Sequence, residues 1–366
     1  MDSHRRTPVV GIVVFLLVFL GIGIPQSKSS LFTVEDLRHD VRTPSQRSAS
    51  PMISRQSETW IDKPQKDWPQ ITMINQIEPD LEIPIRIDPR ISSEVYGCTI
   101  VMAARNGLVL AGNNEDRNHL KTIVTFIPPK DKYYGRIVFG YDDAPMQGGM
   151  NDQGLFVDGN SLAPTGWKAD PNKPMIAGNI IIVMLATCAT CEDVKAVFEK
   201  YNVPGLERAR IPVADRSGAS MVVEYGQGHV QFVRSDSWYQ IATNFVMSNV
   251  KDGNYPCWRY RTADRILSGA KELSVGLIRD VLEKTHQEGN GLTVYSNIYD
   301  LKKGTVHIYN LRNFDEVVVM DLAEELKKGQ RRIELPSLFK HAQEAVSTDR
   351  FVAAKSAKIA IRCVKD

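Results

Sequence analysis

The pattern of apolar and polar positions along this chain changes character twice. From Val9 to Ile24 runs an uncharged apolar stretch of 16 residues, preceded by His4, Arg5 and Arg6 and ended by Pro25. A charged start followed by such a run matches an export signal. A spanning helix wants roughly 20 apolar residues, with a lower limit of about 17, so the run also sits at the edge of an anchor. Residues 1–24 are therefore expected to be a signal peptide or membrane anchor. The protein would be exported (extracellular, periplasmic or lumenal), with or without a retained membrane tether. Gln26 to Lys66 is rich in Ser, Arg, Gln and Pro and shows no sustained period, as a flexible linker does. Leu81, Ile83, Ile85 and Ile87 then alternate with Glu82, Pro84, Arg86 and Asp88, which predicts an extended segment with one apolar face. Pro84 and Pro89 confine it to an edge or to a docked arm. Residues 25–97 thus read as linker and prosegment, and 98–366 as one domain.

From Tyr96 onward the pattern is that of a compact, strand-rich domain. Thr99–Ala104 and Leu108–Gly112 flank Arg105-Asn106-Gly107, and Asn-Gly between alternating apolar runs signals a hairpin. Further strands are expected at Ile123–Ile127, Arg136–Tyr141 and Gly154–Val157. Gly178–Thr187 predicts a buried helix. Cys191–Tyr201 predicts a second, started by Thr190 with Asp193 three residues on. Strands near Arg210–Ala214, Ser220–Glu224, His229–Arg234 and Gln240–Asn244 precede helical stretches at Trp258–Ala270 and Val275–His286. A late hairpin, Leu292–Tyr299 and Thr305–Asn310 about Lys302-Lys303-Gly304, is followed by Glu316–Met320. Strands and helices come in blocks joined by hairpins rather than as βαβ units, which favours antiparallel sheets covered by helices. The tail from Ser347 to Asp366 suggests an extra strand or a loosely attached end.

Composition narrows the function. Lys and Arg total 45 against 43 Asp and Glu, a balance that excludes nucleic-acid binding by bulk charge. A hydrophobic fraction of 43% excludes a disordered or fibrous chain. The five cysteines are too few and too scattered for a disulfide scaffold. Cys188-Ala189-Thr190-Cys191 lacks a second ligand pair for a metal and reads as two small residues at a helix junction. The histidines show no metal-ligand spacing, and no cofactor motif is present.

The candidate chemistry gathers at the start of the compact region, in Gly97-Cys98-Thr99 and Gly112-Asn113-Asn114-Glu115-Asp116. A hairpin turning at Asn106-Gly107 returns its second strand beside the first, bringing Asn114 and Asp116 close to Cys98. A cysteine at a strand start is also a common structural residue. These residues nevertheless resemble the cysteine-type N-terminal-nucleophile hydrolases: choloylglycine hydrolases, penicillin V acylases and autoproteolytic penicillin acyltransferases. There a Cys-Thr or Cys-Ser opens the first strand and a G-x-N-x-D closes its hairpin. The resemblance continues through Gly149-Met150-Asn151-Asp152-Gln153-Gly154-Leu155 and Asp158-Gly159-Asn160. Ala242-Thr243-Asn244, Tyr255-Pro256-Cys257-Trp258-Arg259-Tyr260 and Thr293-Val294-Tyr295-Ser296 follow in the family's order. It covers roughly Gly97 to Asn310.

The resemblance implies an α+β fold, a four-layer αββα sandwich of antiparallel sheets. It implies a self-processing amidase that acts on non-peptide linear amide C–N bonds of small N-acyl substrates, with no cofactor, no metal and no nucleic-acid partner. Cutting Gly97–Cys98 would place the Cys98 thiol beside its own α-amine, whose ordinary pKa of about 7.7–8.0 suits it as a base. Asp116 would orient that amine. Asn244 would offer its amide N–H to the oxyanion, with Asn160 or its neighbour Ser161 as second donor. Asn160 can equally be a turn residue beside Gly159. Arg259 would favour thiolate, although Arg261 and Arg265 on the same helix could take its place. Asn113 stands where bile-salt and penicillin V enzymes carry Arg, which moves this chain toward the acyltransferase branch. An acyltransferase using the same thioester and a silent membrane-tethered binding module remain the alternatives. A papain-like site on His119 or His229 lacks a supporting motif.

Overall fold

The computed structural model describes residues 97–340, apart from 145 and 252. The expected signal or anchor, linker, prosegment arm and C-terminal tail lie outside the described residues. Among the described residues no helix is long and apolar enough to cross a membrane.

The first hairpin forms because its turn residues accept the backbone it needs. Asn106 and Gly107 both have positive φ, 52° and 83°, as a two-residue turn matching the strand twist requires. They join β1 (Thr99–Arg105) to β2 (Leu108–Asp116). Next come β3 (Thr122–Ile127), β4 (Arg136–Tyr141), β5 (Gly148–Asn151), β6 (Phe156–Asp158) and β7 (Asn160–Ser161). Helices α1 (Ile180–Thr187) and α2 (Cys191–Lys200) precede β8 (Ala209–Ala214), β9 (Ser220–Gly226), β10 (His229–Val233) and β11 (Tyr239–Ala242). Helices α3 (Trp258–Gly269) and α4 (Val275–Thr285) lead into β12 (Thr293–Asp300), β13 (Thr305–Asn310) and β14 (Val318–Asp321). The short α5 (Leu322–Lys327) and β15 (Arg331–Glu334) close the described chain.

The strands form two antiparallel sheets. One has the order β11-β1-β2-β12-β13-β14. The other runs β10-β9-β8-β6-β5-β4-β3-β15, with β7 paired to β8. Period-two alternation sorts the side chains into layers. Ile100 and Met102 of β1 meet Ile137 and Phe139 of β4 in a core between the sheets. Val101 and Ala103 turn the other way, onto Ile278 and Leu282 of α4. On the second sheet Val138, Val213 and Val223 pack under α1 and α2. Three apolar layers between four layers of secondary structure make an αββα sandwich, as the resemblance implied.

The expected elements are present with ends shifted by a few residues. Four others, β5, β7, α5 and β15, carry no clear signal in the sequence. Strand β5 reads Gly-Gly-Met-Asn and has no alternating apolar face. A Cβ at Gly149 would sit 2.1 Å from the Ile137 carbonyl oxygen, so glycine there serves close strand approach. Strand β15 carries one apolar residue, Ile333, and adds to the sheet edge through β3.

The motif Gly149 to Leu155 proves architectural. Asn151 Nδ2 donates to the Leu185 and Cys188 carbonyls at the end of α1, and its Oδ1 accepts from the Gln153 and Leu155 amides. Gly154 takes φ +77°, and a side chain there would strike the Leu301 carbonyl. Cys188 and Cys191 bury in the core beneath α1 and α2. The Thr190 capping box with Asp193 forms as expected.

Candidate active site

Strand pairing sets the site. Thr99 pairs with Asn114, so continuing the register puts Cys98 opposite Glu115 and Gly97 opposite Asp116. Alternation then divides the neighbours. Asn113 and Glu115 share the inter-sheet face of β2 with Val109 and Ala111, the face toward which Cys98 also turns. Asn114 and Asp116 point to the helix side, with Leu110. The hairpin thus brings Asp116 next to Cys98 along the backbone, while Glu115 presents its carboxylate to the thiol.

Cys98 is buried, and its Sγ donates to Glu115 Oε2 at 3.6 Å. Glu115 also accepts from Tyr141 Oη at 3.0 Å and Asn113 Nδ2 at 3.3 Å. On the other face, Asp116 accepts from Thr293 Oγ1, from Gln287 Nε2 at 2.7 Å and from Arg259 Nη1 at 3.4 Å. The Thr293 contact depends on an irregularity in the β12–β2 register between Thr293 and Tyr295. Asn114 lies apart from the thiol, donating to the Leu282 carbonyl of α4 and accepting from Ser296.

Arg259 sits on the buried side of α3 with Tyr260, Ala263 and Leu267, whereas Arg261 and Arg265 face solvent. Helical spacing of three to four residues makes that choice. Its guanidinium donates to the Cys98 carbonyl at 2.7 Å, to Thr99 Oγ1 and to Asn244 Oδ1 at 2.8 Å. Burial first, then the Glu115 and Asp116 carboxylates, push the Cys98 thiol well up, against a hydrogen bond from the Asp116 backbone. The intact chain holds a neutral thiol that needs a base.

Asn160 is fully buried on β7 while Ser161 is exposed, which separates the two candidates. Asn160 Nδ2 donates to the Cys98 carbonyl at 3.4 Å, and its Oδ1 accepts from Arg210 Nε at 3.0 Å. Arg210 is itself buried against Glu224 at 3.2 Å and lies over the Phe245 ring. Asn244, just past β11, donates to the Ser161 carbonyl at 2.8 Å. Asp116, Asn160, Asn244 and Arg259 are thus brought together around Cys98, the residue before β1.

Sequence reading missed Glu115, Gln287, Thr293 and Arg210. The hairpin register and the period of two point to Glu115, since Asn106-Gly107 fixes both. No comparable signal marks the other three. Beside the site, a cleft of about 300 Å³ is lined by Leu162, Pro164, Tyr225, Asn244, Phe245 and Val246. Phe245 lines this cleft, whereas Trp167 lines a separate pocket of about 430 Å³ and Phe156 is in the inter-sheet core. His119, Asp142 and Asp143 lie close enough to hold a metal. Arg117 and Lys121 pair with the two carboxylates, as in a surface ion-pair cluster.

Three buried carboxyls around Cys98 set a pH dependence. Burial pushes Asp116 up to about 8, against Arg259, Thr293 and Gln287, and raises Glu115 and Asp158 as well. A group whose folded pKa lies above its unfolded value of about 4 keeps its proton in the folded state after the unfolded chain has lost it. The contribution of Asp116 to stability is therefore greatest near pH 4 and falls as pH rises toward 8, by about 1.4 kcal/mol per pH unit, and Glu115 and Asp158 act in the same direction. Urea unfolding of the Cys98→Ala chain at pH 5, 6, 7 and 8 should show a falling midpoint. A flat or rising midpoint would contradict this assignment.

No family model matches the sequence, and no curated protein matches it significantly. Solved structures do match. A mutant of the conjugated bile acid hydrolase from Clostridium perfringens aligns at TM-score 0.52 and 17% identity, over 65% of this chain and 95% of that one. Penicillin V acylase from Agrobacterium tumefaciens aligns at TM-score 0.52 and 15% identity, over 65% of this chain and 91% of that one. The domain that places Cys98 just before β1 therefore has the N-terminal-nucleophile hydrolase fold, which it shares with the conjugated bile acid hydrolase and penicillin V acylase.

Proposed function

We propose that this protein is a self-processing cysteine amidase that hydrolyses the linear amide bond of a small N-acyl substrate. The observation that carries the reading is the position of Cys98. It heads β1 of this fold, with Asp116, Asn160, Asn244 and Arg259 gathered around its backbone. Cleavage before Cys98 would free its α-amine, which takes the thiol proton while sulfur bonds the substrate carbonyl carbon. The amide C–N bond breaks, and the amine leaves with that proton. Water then adds to the thioester, returns a proton to sulfur and releases the acid. Asn244 and Asn160 supply amide N–H groups for the oxyanion, where one well-placed donor contributes roughly 3–4 kcal/mol. Arg259 holds the Cys98 carbonyl and Asn244 in place. The cleft beside Asn244 receives the acyl group, and its mixed lining, with Leu162, Pro164, Phe245 and Val246 beside Thr165, Gln227 and Asn249, suits a short acyl chain that carries a polar group.

The proposal extends to the ends of the chain: residues 1–24 direct export or anchor the protein, and 25–97 are the linker and the prosegment that is removed. The bile acid hydrolase and penicillin V acylase set the kind of amide to try first. The test is a panel of N-acyl amino acids, N-acyl amines and N-acyl lactones, scored for amine release by purified protein whose N-terminus has been identified by mass spectrometry. Amine release by a chain that begins at Cys98 is the expected result. An uncut chain that hydrolyses these amides equally well would overturn the mechanism. Adding a second amine and analysing the product would reveal acyl transfer.

A further inference from the structure

In the uncut chain the nitrogen of Cys98 is an amide, so the base proposed for substrate hydrolysis does not yet exist. The thiol is nonetheless neutral and buried, and the first cut must deprotonate it. We propose that Glu115 is the base of this first cut and Gln287 its oxyanion donor, two residues serving the chain's own processing. The inference rests on the self-cleavage proposed above and assigns the groups that perform it.

The geometry is already in place. Cys98 Sγ donates to Glu115 Oε2 at 3.6 Å. The scissile carbonyl is that of Gly97, and Gln287 Nε2 donates to its oxygen at 2.8 Å. The same nitrogen donates to Asp116 Oδ2 at 2.7 Å. Both partners are acceptors, which sets the orientation of the Gln287 amide. A Cβ at Gly97 would lie 2.3 Å from Arg259 Nη2, so a side chain there would have to displace the guanidinium. Tyr141 and Asn113 hold the two oxygens of Glu115 so that one faces sulfur.

The atoms balance without an outside reagent other than water. Glu115 takes the thiol proton as sulfur bonds the Gly97 carbonyl carbon, closing a five-membered ring. The carbonyl electron pair moves onto oxygen, beside Gln287 Nε2. The C–N bond then breaks, the carbonyl re-forms, and Glu115 returns its proton to the departing nitrogen. The product is a Gly97–Cys98 thioester with a free α-amine. Water hydrolyses it to the Gly97 carboxylic acid and the Cys98 thiol. The new amine then replaces Glu115 as the nearest base for later turnovers.

Groups facing Glu115 from the packed elements are Cys98 of β1, Arg117 beyond β2, Tyr141 of β4, Asp158 of β6, and Tyr295 and Tyr299 of β12. Arg117 is the cation among them, and burial outweighs it, raising the Glu115 carboxyl toward the range where a base is useful.

The test is cell-free translation of the full chain, followed by timed intact-mass measurement of the cut across pH 5 to 9. Cleavage of the unaltered chain should rise with pH along one titration. Glu115→Gln should slow it about 10²- to 10⁴-fold and abolish that rise. Gln287→Leu should slow it about 10²- to 10³-fold and keep the rise. A Glu115→Gln chain that cuts at the unaltered rate with the same profile overturns the assignment. If that variant fails to fold, Tyr141→Phe decides. Losing the hydroxyl that stabilises ionised Glu115 should move the profile to higher pH, and an unmoved profile counts against it. A chain that is never cut at position 97 removes both readings. One that cuts by way of Glu115 yet hydrolyses no N-acyl amide removes only the amidase.

Discussion

Cys98→Ala should leave the chain folded, uncut at Gly97 and without amidase activity. The substitution removes one sulfur from a buried position whose Glu115 partner keeps its bonds from Tyr141 and Asn113. The stability change is therefore small, on the order of 1 kcal/mol. The catalytic change is large because no other side chain can form the acyl intermediate. Loss of a covalent nucleophile lowers turnover on the order of 10⁶-fold. Cys188, Cys191 and Cys257 are also buried, but lie in the helix-side cores away from the start of β1. Intact-mass analysis would report the uncut chain, and an amine-release assay the lost activity. Amide hydrolysis surviving in Cys98→Ala would end the proposed mechanism.

Where Asp116 is ionised, Arg259→Met should cost about 3–5 kcal/mol, the usual penalty for removing one partner of a buried charged pair. Arg259 and Asp116 are both almost fully buried. The same guanidinium also serves the Cys98 carbonyl and Asn244 Oδ1. Methionine fills similar volume, so the loss reports lost donors more than a cavity. The loss should grow above pH 8. There the unaltered Asp116 carboxyl ionises, whereas without its cation it holds the proton to higher pH. Urea unfolding at pH 6 and pH 9, in the Cys98→Ala background to keep the chain uncut, measures both. Equal losses at the two pH values would show that Arg259 acts through the carbonyl and Asn244 and not through Asp116.

Much of the hairpin at the site is legible in the residues. The Asn106-Gly107 turn, the alternation of β1 and the start of β1 after Cys98 all follow from local rules. Asp116 is legible as a neighbour of the Cys98 backbone, where the resemblance has it orient the α-amine, and the pleat adds that the thiol itself faces Glu115. Arg259 can be named but not separated from Arg261 and Arg265, because the three share a helix and its buried stripe depends on what packs there. Asn160 over Ser161 is the same problem on a two-residue strand. The short strands β5 and β15 leave no trace in the pattern, since glycine contacts and edge pairing hold them rather than an apolar face.

Local sequence alone determines that Cys98 begins a strand, which turn follows it, and by register that Glu115 is its partner. These are contacts within one hairpin, where backbone geometry leaves little choice. Tertiary structure alone decides the rest of the site. Gln287 and Arg259 reach the Gly97–Cys98 junction from 190 and 161 residues away in the chain, and Thr293 reaches Asp116 from 177. Such partners are selected by how α3, α4 and β12 pack on the first sheet. No spacing along the chain encodes that packing, because it depends on the burial of whole faces at once.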